Sequence, residues 1–132
     1  MSAASPDGPS RYFHDLTKGV SHNLGYLRSE LPDVMKSFND LGKAASRDGA
    51  LDEKTKELIA VALGVASHCD ACIGFHVRSL VRLGGTKREL AEALGMAVYM
   101  GGGPSLMYAA SALAAMDEFS ATAKPAPAVA SA

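Results

Sequence analysis

Two thiols and an imidazole share one short stretch of this chain, SHCDACIGFH at residues 67–76, as Cys69, Cys72 and His76. Cysteines three positions apart can close a disulfide. At the start of a helix, unpaired N–H groups and the positive end of the dipole stabilise a sulfur anion and lower its pKa. His76 follows Cys72 by four residues and Cys69 by seven, so helical geometry places all three side chains on one face. The imidazole could then accept and return a thiol proton. Spacing leaves the nucleophile open: the first cysteine of a redox pair is ordinarily the more exposed, which favours Cys69, whereas the i, i+4 relation to His76 favours Cys72.

A carboxylate upstream completes the constellation. Along one straight helix Glu57 would lie about 18 Å from Cys69, but a turn near His68 would fold two helices antiparallel and bring Glu57 within roughly one helical turn of His76. It could then orient and charge the imidazole. Glu57, Val61, Gly64 and His68 share a face, and Gly64 would allow a neighbouring helix or a substrate close approach. Zinc competes for the same residues, because Cys69, Cys72 and His76 with His68 or Asp70 could supply sulfur and nitrogen ligands. Structural zinc usually draws on two separated clusters and no second Cys or His pair occurs, so neither metal nor another cofactor is expected.

The elements that must position these residues are helical. Phe13, Leu16, Val20, Leu24 and Leu27 recur at steps of three and four and outline a first helix from Tyr12 to Leu27, weakened by Gly19 and Gly25. Pro32 suits the first turn of a second, with Met35, Phe38 and Leu41 as its apolar stripe. Asp52 is a fitting N-cap for a third, from Glu53 to about Ser67, with Leu58, Ile59, Ala62 and Val65 as its apolar face. The fourth carries Ile73, Val77, Leu80, Val81 and Leu83 and stops at Gly84 and Gly85. Thr86 with Glu89 forms a capping box for the fifth, Gly101 to Gly103 end it, and Pro104 starts a sixth to about Phe119.

The expected fold is therefore all-α, a compact bundle of about six helices forming one domain over residues 10–121, with disordered segments at 1–9 and 122–132. The 132 residues are 48% hydrophobic with no Trp, and the net charge of −1 is interspersed, which argues against nucleic acid as a partner. No apolar run approaches the ~20 residues that span a bilayer and the start does not read as a secretory signal, so no membrane partner and a cytoplasmic location are expected. In that compartment a cysteine pair points to redox or catalytic use. His14 and His22 lack acidic or thiol neighbours at telling spacing and read as surface or packing residues. Met96, Met100, Met107 and Met116 read as core or interface filler, and Arg78, Arg82, Lys87 and Arg88 as solvated faces. The Gly101–Pro104 run reads as a tight corner between helices, because no strand precedes it and no P-loop Lys or Ser/Thr follows in register.

Glu57, then Cys69-x-x-Cys72, then His76 resembles the active-site signature of the alkylhydroperoxidase D-like, carboxymuconolactone decarboxylase-related superfamily. The likeness covers roughly residues 31–120, including the Gly84–Gly85 turn, Glu89, Glu92 and the stretch AVYMGGGPSLMYAASALAAMDEF. The resemblance implies an alkylhydroperoxidase D-like helical fold and a peroxidase in which Cys72 attacks a hydroperoxide and Cys69 resolves it to a disulfide. Glu57 and His76 would relay the proton. It further implies an external thiol reductant, lipoyl or thioredoxin-like, and a homo-oligomer, trimer or hexamer, because this chain is much shorter than the two-repeat members. The alternatives are a general thiol-disulfide oxidoreductase or redox sensor, a zinc-binding module, and lactone decarboxylation. Against the last, the decarboxylase branch does not use this dithiol.

Overall fold

A computed structural model describes residues 10–123, and six helices account for nearly all of them: α1 Tyr12–Glu30, α2 Pro32–Ser46, α3 Glu53–Ala66, α4 Asp70–Arg82, α5 Lys87–Gly101 and α6 Gly103–Thr122. There is no strand among the described residues, and the fold is all-α. Of the expected disordered segments, Thr122 is the last residue of α6 and Ala123 its C-cap; the remainder lies outside the described residues.

Helices α3 to α6 pack on one another around one core, with α1 laid across α4 and α6. Ile73, Val77 and Leu80 of α4, Val61 and Val65 of α3, Leu90 of α5 and Ala112 and Ala115 of α6 are fully enclosed. Each of the larger aliphatic side chains contributes roughly 2 kcal/mol over an exposed one. The buried face of α3 is Glu57, Val61, Gly64 and Val65, whereas Leu58 and Ala62 are half-buried and Ile59 is exposed. The core side of α3 is thus rotated from the Leu58, Ile59, Ala62 and Val65 stripe, because the small Gly64 lets α4 press close and draws that face inward.

The helix ends follow local rules where local groups suffice. Asp52 caps α3 by accepting from the Thr55 N–H at 2.8 Å, a bond that holds its carboxyl below the usual carboxylate range. Thr86 and Glu89 form the reciprocal capping box of α5. Helix α1 has no such neighbour: Arg11 offers no side-chain cap. Its first turn is served instead by Glu118 from α6, which accepts from the N–H groups of Phe13 at 3.1 Å and His14 at 2.9 Å and from His14 Nδ1 at 2.8 Å.

The seat of α1 on α4 depends on Gly74. A Cβ there would lie 2.8 Å from Thr17 Cγ2 and 3.2 Å from Phe13 Cδ1, inside van der Waals contact. Gly74→Ala is expected to destabilise the fold by about 1–3 kcal/mol despite the better helix propensity of Ala. Urea unfolding of the two proteins measures this; equal or greater stability in the variant would contradict the tight α1–α4 contact.

Helix α2 departs from expectation. Met35 is buried, but Phe38 and Leu41 of the same stripe are 69% and 63% exposed. The helix rests on α1 and only lightly on α3, so among the described residues no second layer covers its outer side. Periodicity reports that a helix has two faces, not what covers them.

Candidate active site

Helix α3 ends at Ala66, and the chain reverses through Ser67 and His68, whose φ of 54° places it in the left-handed region. A non-glycine residue held there marks a sharply constrained turn. The His68 ring stacks on Tyr108 of α6 at 4.8 Å, which anchors the turn to the bundle. Two backbone bonds close it, from the His68 N–H to Val65 O and from the Cys69 N–H to Gly64 O.

Cys69 is the N-cap of α4 and its sulfur accepts from the Cys72 N–H at 3.2 Å, occupying the place that a Ser or Asp oxygen takes at other helix starts. Cys69 and Cys72 are joined by a disulfide, with their Cα atoms 5.2 Å apart. Cys69 is half-buried whereas Cys72 is exposed, the reverse of the ordering by which the first cysteine of a pair is the more open. Cys72 sits in a hollow with Ala60, Leu63, Gly64, Ser67 and His76. Gly64 makes the hollow possible: a Cβ at this position would lie 3.3 Å from Cys72 Cβ, so any side chain here would crowd the sulfur-bearing turn.

The reversal carries α4 back along α3 far enough for Glu57 and His76 to meet, and Oε2 of the carboxylate lies 2.7 Å from Nδ1 of the imidazole. The Glu57 side chain is 10% exposed and that of His76 42%, so a nearly enclosed carboxylate steadies a ring that still reaches solvent. A carboxylate accepts only, so in the neutral ring Nδ1 carries the proton and Nε2 is left as the acceptor. The structure thus links the four in a chain: Glu57 bonds His76, His76 shares a hollow with Cys72, and Cys72 is joined to Cys69. Among the described residues, no group of three His, Cys, Asp or Glu side chains is arranged to hold a metal ion.

Several contacts at or near the site had no signal in the sequence. The Tyr12 hydroxyl donates to Asp70 Oδ2 at 2.9 Å, joining residues 58 apart. His14, read as surface or packing, packs on Phe119 and pairs with Glu118, while His22 is exposed. Of the four Met residues read as filler, Met116 is in the core, and Met96, Met100 and Met107 lie on the surface. A second hollow, almost wholly apolar, runs between α3 and α5 along Leu58, Ile59, Ala62, Leu63, Ala93 and Met96. It shares Leu63 with the hollow at Cys72.

An all-helical domain with a C-x-x-C pair opening one helix and a Glu–His pair bridging it to the helix before defines the alkylhydroperoxidase D-like class. Residues 32–115 match the carboxymuconolactone decarboxylase family, and the chain belongs to that family. It is 43% identical over 102 residues to an uncharacterized protein of Cupriavidus necator, covering 77% of this chain and 90% of that one. It is also 42% identical over 99 residues to uncharacterized protein 4 in the cox locus of Paracoccus denitrificans, covering 75% and 89% of the two chains. Among solved structures, a carboxymuconolactone decarboxylase family protein of Legionella pneumophila superposes with a TM-score of 0.83 at 58% identity, over 84% of this chain and 99% of that one. A Thermotoga maritima member, for which a part in an antioxidative response has been raised, superposes with a TM-score of 0.69 at 30% identity, over 77% and 87%.

No helix of the described residues is long and apolar enough to cross a membrane.

Proposed function

We propose that this protein is a dithiol peroxidase that reduces alkyl hydroperoxides or hydrogen peroxide and is recycled by an external thiol. The observation that carries the reading is the exposed Cys72 sulfur sharing a hollow with an imidazole held by a buried carboxylate. The Cys72 thiolate attacks one peroxide oxygen, the O–O bond breaks, and the leaving alkoxide takes a proton from His76 to depart as alcohol. The resulting sulfenic acid is attacked by the Cys69 thiol, water leaves, and the Cys69–Cys72 disulfide forms. Two electrons from a dithiol reductant, lipoyl or thioredoxin-like in chemistry, restore the pair. The apolar groove beyond Leu63 suits the hydrocarbon part of an alkyl hydroperoxide.

Stoichiometry tests this directly. Fully reduced protein titrated with hydrogen peroxide should lose both thiols for each peroxide consumed and return the internal disulfide. Thiols that survive an excess of peroxide over minutes would rule the reading out. Glu57→Gln keeps the shape of the side chain but removes the carboxylate that fixes the ring's orientation and tautomer, and should slow the peroxide step about a hundredfold. Stopped-flow traces of the reduced variant provide the measure; a rate within twofold of wild type would remove Glu57 from the relay.

A second reading is favoured by the openness of the same hollow. An exposed Cys72 flanked by Leu63, itself 61% exposed, could meet a protein thiol as readily as a small peroxide, which would make the chain a general thiol-disulfide oxidoreductase or redox sensor. Trapping mixed disulfides with Cys69→Ser separates the two when it is paired with a peroxide assay: this reading requires recurring protein partners beyond the thiol reductant and a dithiol that peroxide oxidises only slowly. We also propose a homo-oligomer, because Phe38, Leu41, Tyr99, Met100 and Met107 are all more than 60% exposed; the family resemblance makes it a trimer or hexamer. A sedimentation profile of a monomer at micromolar concentration would refute it.

A further inference from the structure

Asp70 stands between the two cysteines of the pair and is the first residue of α4. A carboxylate here is a hazard for the chemistry proposed above: it gains from the positive helix end, but it shares the first turn of α4 with the sulfur whose anion the same helix end must stabilise. Like charges a few ångströms apart disfavour each other, so a free Asp70 side chain would raise the thiol pKa and favour the disulfide over the reduced pair. No Lys, Arg or His pairs with Asp70 among the described residues. Its side-chain partner is the Tyr12 hydroxyl at 2.9 Å.

The bond also sets a direction. Asp70 and Cys72 are two residues apart, which on a helix places them on roughly opposite sides. Cys72 faces a hollow built from α3, with Ala60, Leu63, Gly64 and Ser67. Asp70 faces one built from α1 and α6, with Tyr12, Phe13, Ser111 and Ala114. The two hollows have no lining residue in common, and the first turn of α4 lies between them. We propose that Tyr12 is a positioning residue for the dithiol: its hydroxyl holds the Asp70 carboxylate on the α1 side of α4, away from the Cys72 sulfur, and so eases reduction of the disulfide. The phenol remains a donor throughout the working range, because the hydrogen bond to Asp70, with burial and the nearby negative charge, raises its pKa above 10.0. The inference rests on the dithiol reading, and the measurement keeps the two apart.

The test equilibrates the protein at pH 7 with graded ratios of reduced and oxidised dithiothreitol, and counts thiols by mass after alkylation. Reduction transfers two electrons: the S–S bond breaks, the reagent closes its own ring disulfide, and the protein is left with one thiol and one thiolate as one proton goes to solvent. Tyr12→Phe keeps the ring and its edge contact with Phe13 while removing the hydroxyl. It should lower the reduction equilibrium constant about threefold, a potential about 14 mV more negative. Asp70→Asn should move it the other way, and Tyr12→Phe made in that background should add no shift. An unchanged constant in the single variant would show that the hydroxyl has no hold on the dithiol, and the same shift in both backgrounds that it acts independently of Asp70; either result overturns the proposal. If the wild-type disulfide exchanges with dithiothreitol at no ratio, the dithiol reading itself falls, and this inference with it.

Discussion

Cys72→Ser is expected to lower peroxide consumption, with dithiothreitol or dihydrolipoamide as reductant, by at least about a thousandfold. A serine hydroxyl at the same place is not ionised at neutral pH, so the helix N-terminus and the His76 ring have no anion to support. Cys69→Ser should behave differently. Its Cys72 still attacks peroxide once, but the sulfenic acid then has no neighbour to resolve it and waits for an external thiol or is oxidised further. The first turnover should therefore survive, while the steady state should fall to the rate at which the external dithiol resolves the sulfenic acid. Full steady-state activity in Cys72→Ser, or equal first-turnover rates in both variants, would show that the chemistry is elsewhere. The sharper exposure of Cys72 over Cys69, and the lodging of His76 in the same hollow, are the reasons for assigning the first attack to Cys72.

Glu118→Ala should cost about 3 kcal/mol of stability, with a melting temperature lower by about 10 °C. The Glu118 side chain is 2% exposed and accepts from two backbone N–H groups and one imidazole. Truncation would leave the buried Phe13 N–H without a partner and take from the part-buried His14 two of its bonds. Glu118→Gln keeps one acceptor oxygen and should lose about half as much. Urea unfolding at fixed protein concentration reports both, with concentration held constant because assembly would shift the apparent values. A loss below about 0.5 kcal/mol in Glu118→Ala would mean that α1 is held by its packing on Gly74 and Phe119 alone. The expected consequence for the site is indirect: α1 carries Tyr12, so loosening its first turn should also weaken the Tyr12–Asp70 bond.

Particular residues show how much of this was legible beforehand. Asp52, Thr86 with Glu89, and the glycines at 84 and 85 mark helix ends through groups a few residues away, and such signals survive in any tertiary setting. The pairing of Glu57 with His76 was within reach as well, because a reversal near His68 and a constant rise per residue leave little freedom in where the side chains meet. The failures share a cause. Phe38 and Leu41 look like core by period alone, and nothing local tells a helix face that finds a cover from one that does not. Glu118 and His14 have no common motif, being 104 residues apart, and Tyr12 announces nothing about Asp70.

The amino-acid order by itself determined six helices, the side-chain caps of α3 and α5, and a thiol pair at a helix start with His76 one turn on. Those properties depend on backbone geometry and on contacts within a few residues. Only the tertiary structure decided which cysteine is open, which face of α3 is buried, that the distant Glu118 caps α1, and that Tyr12 meets Asp70. Such outcomes come from packing six helices into one volume, where each side chain's neighbours are set by all the others at once.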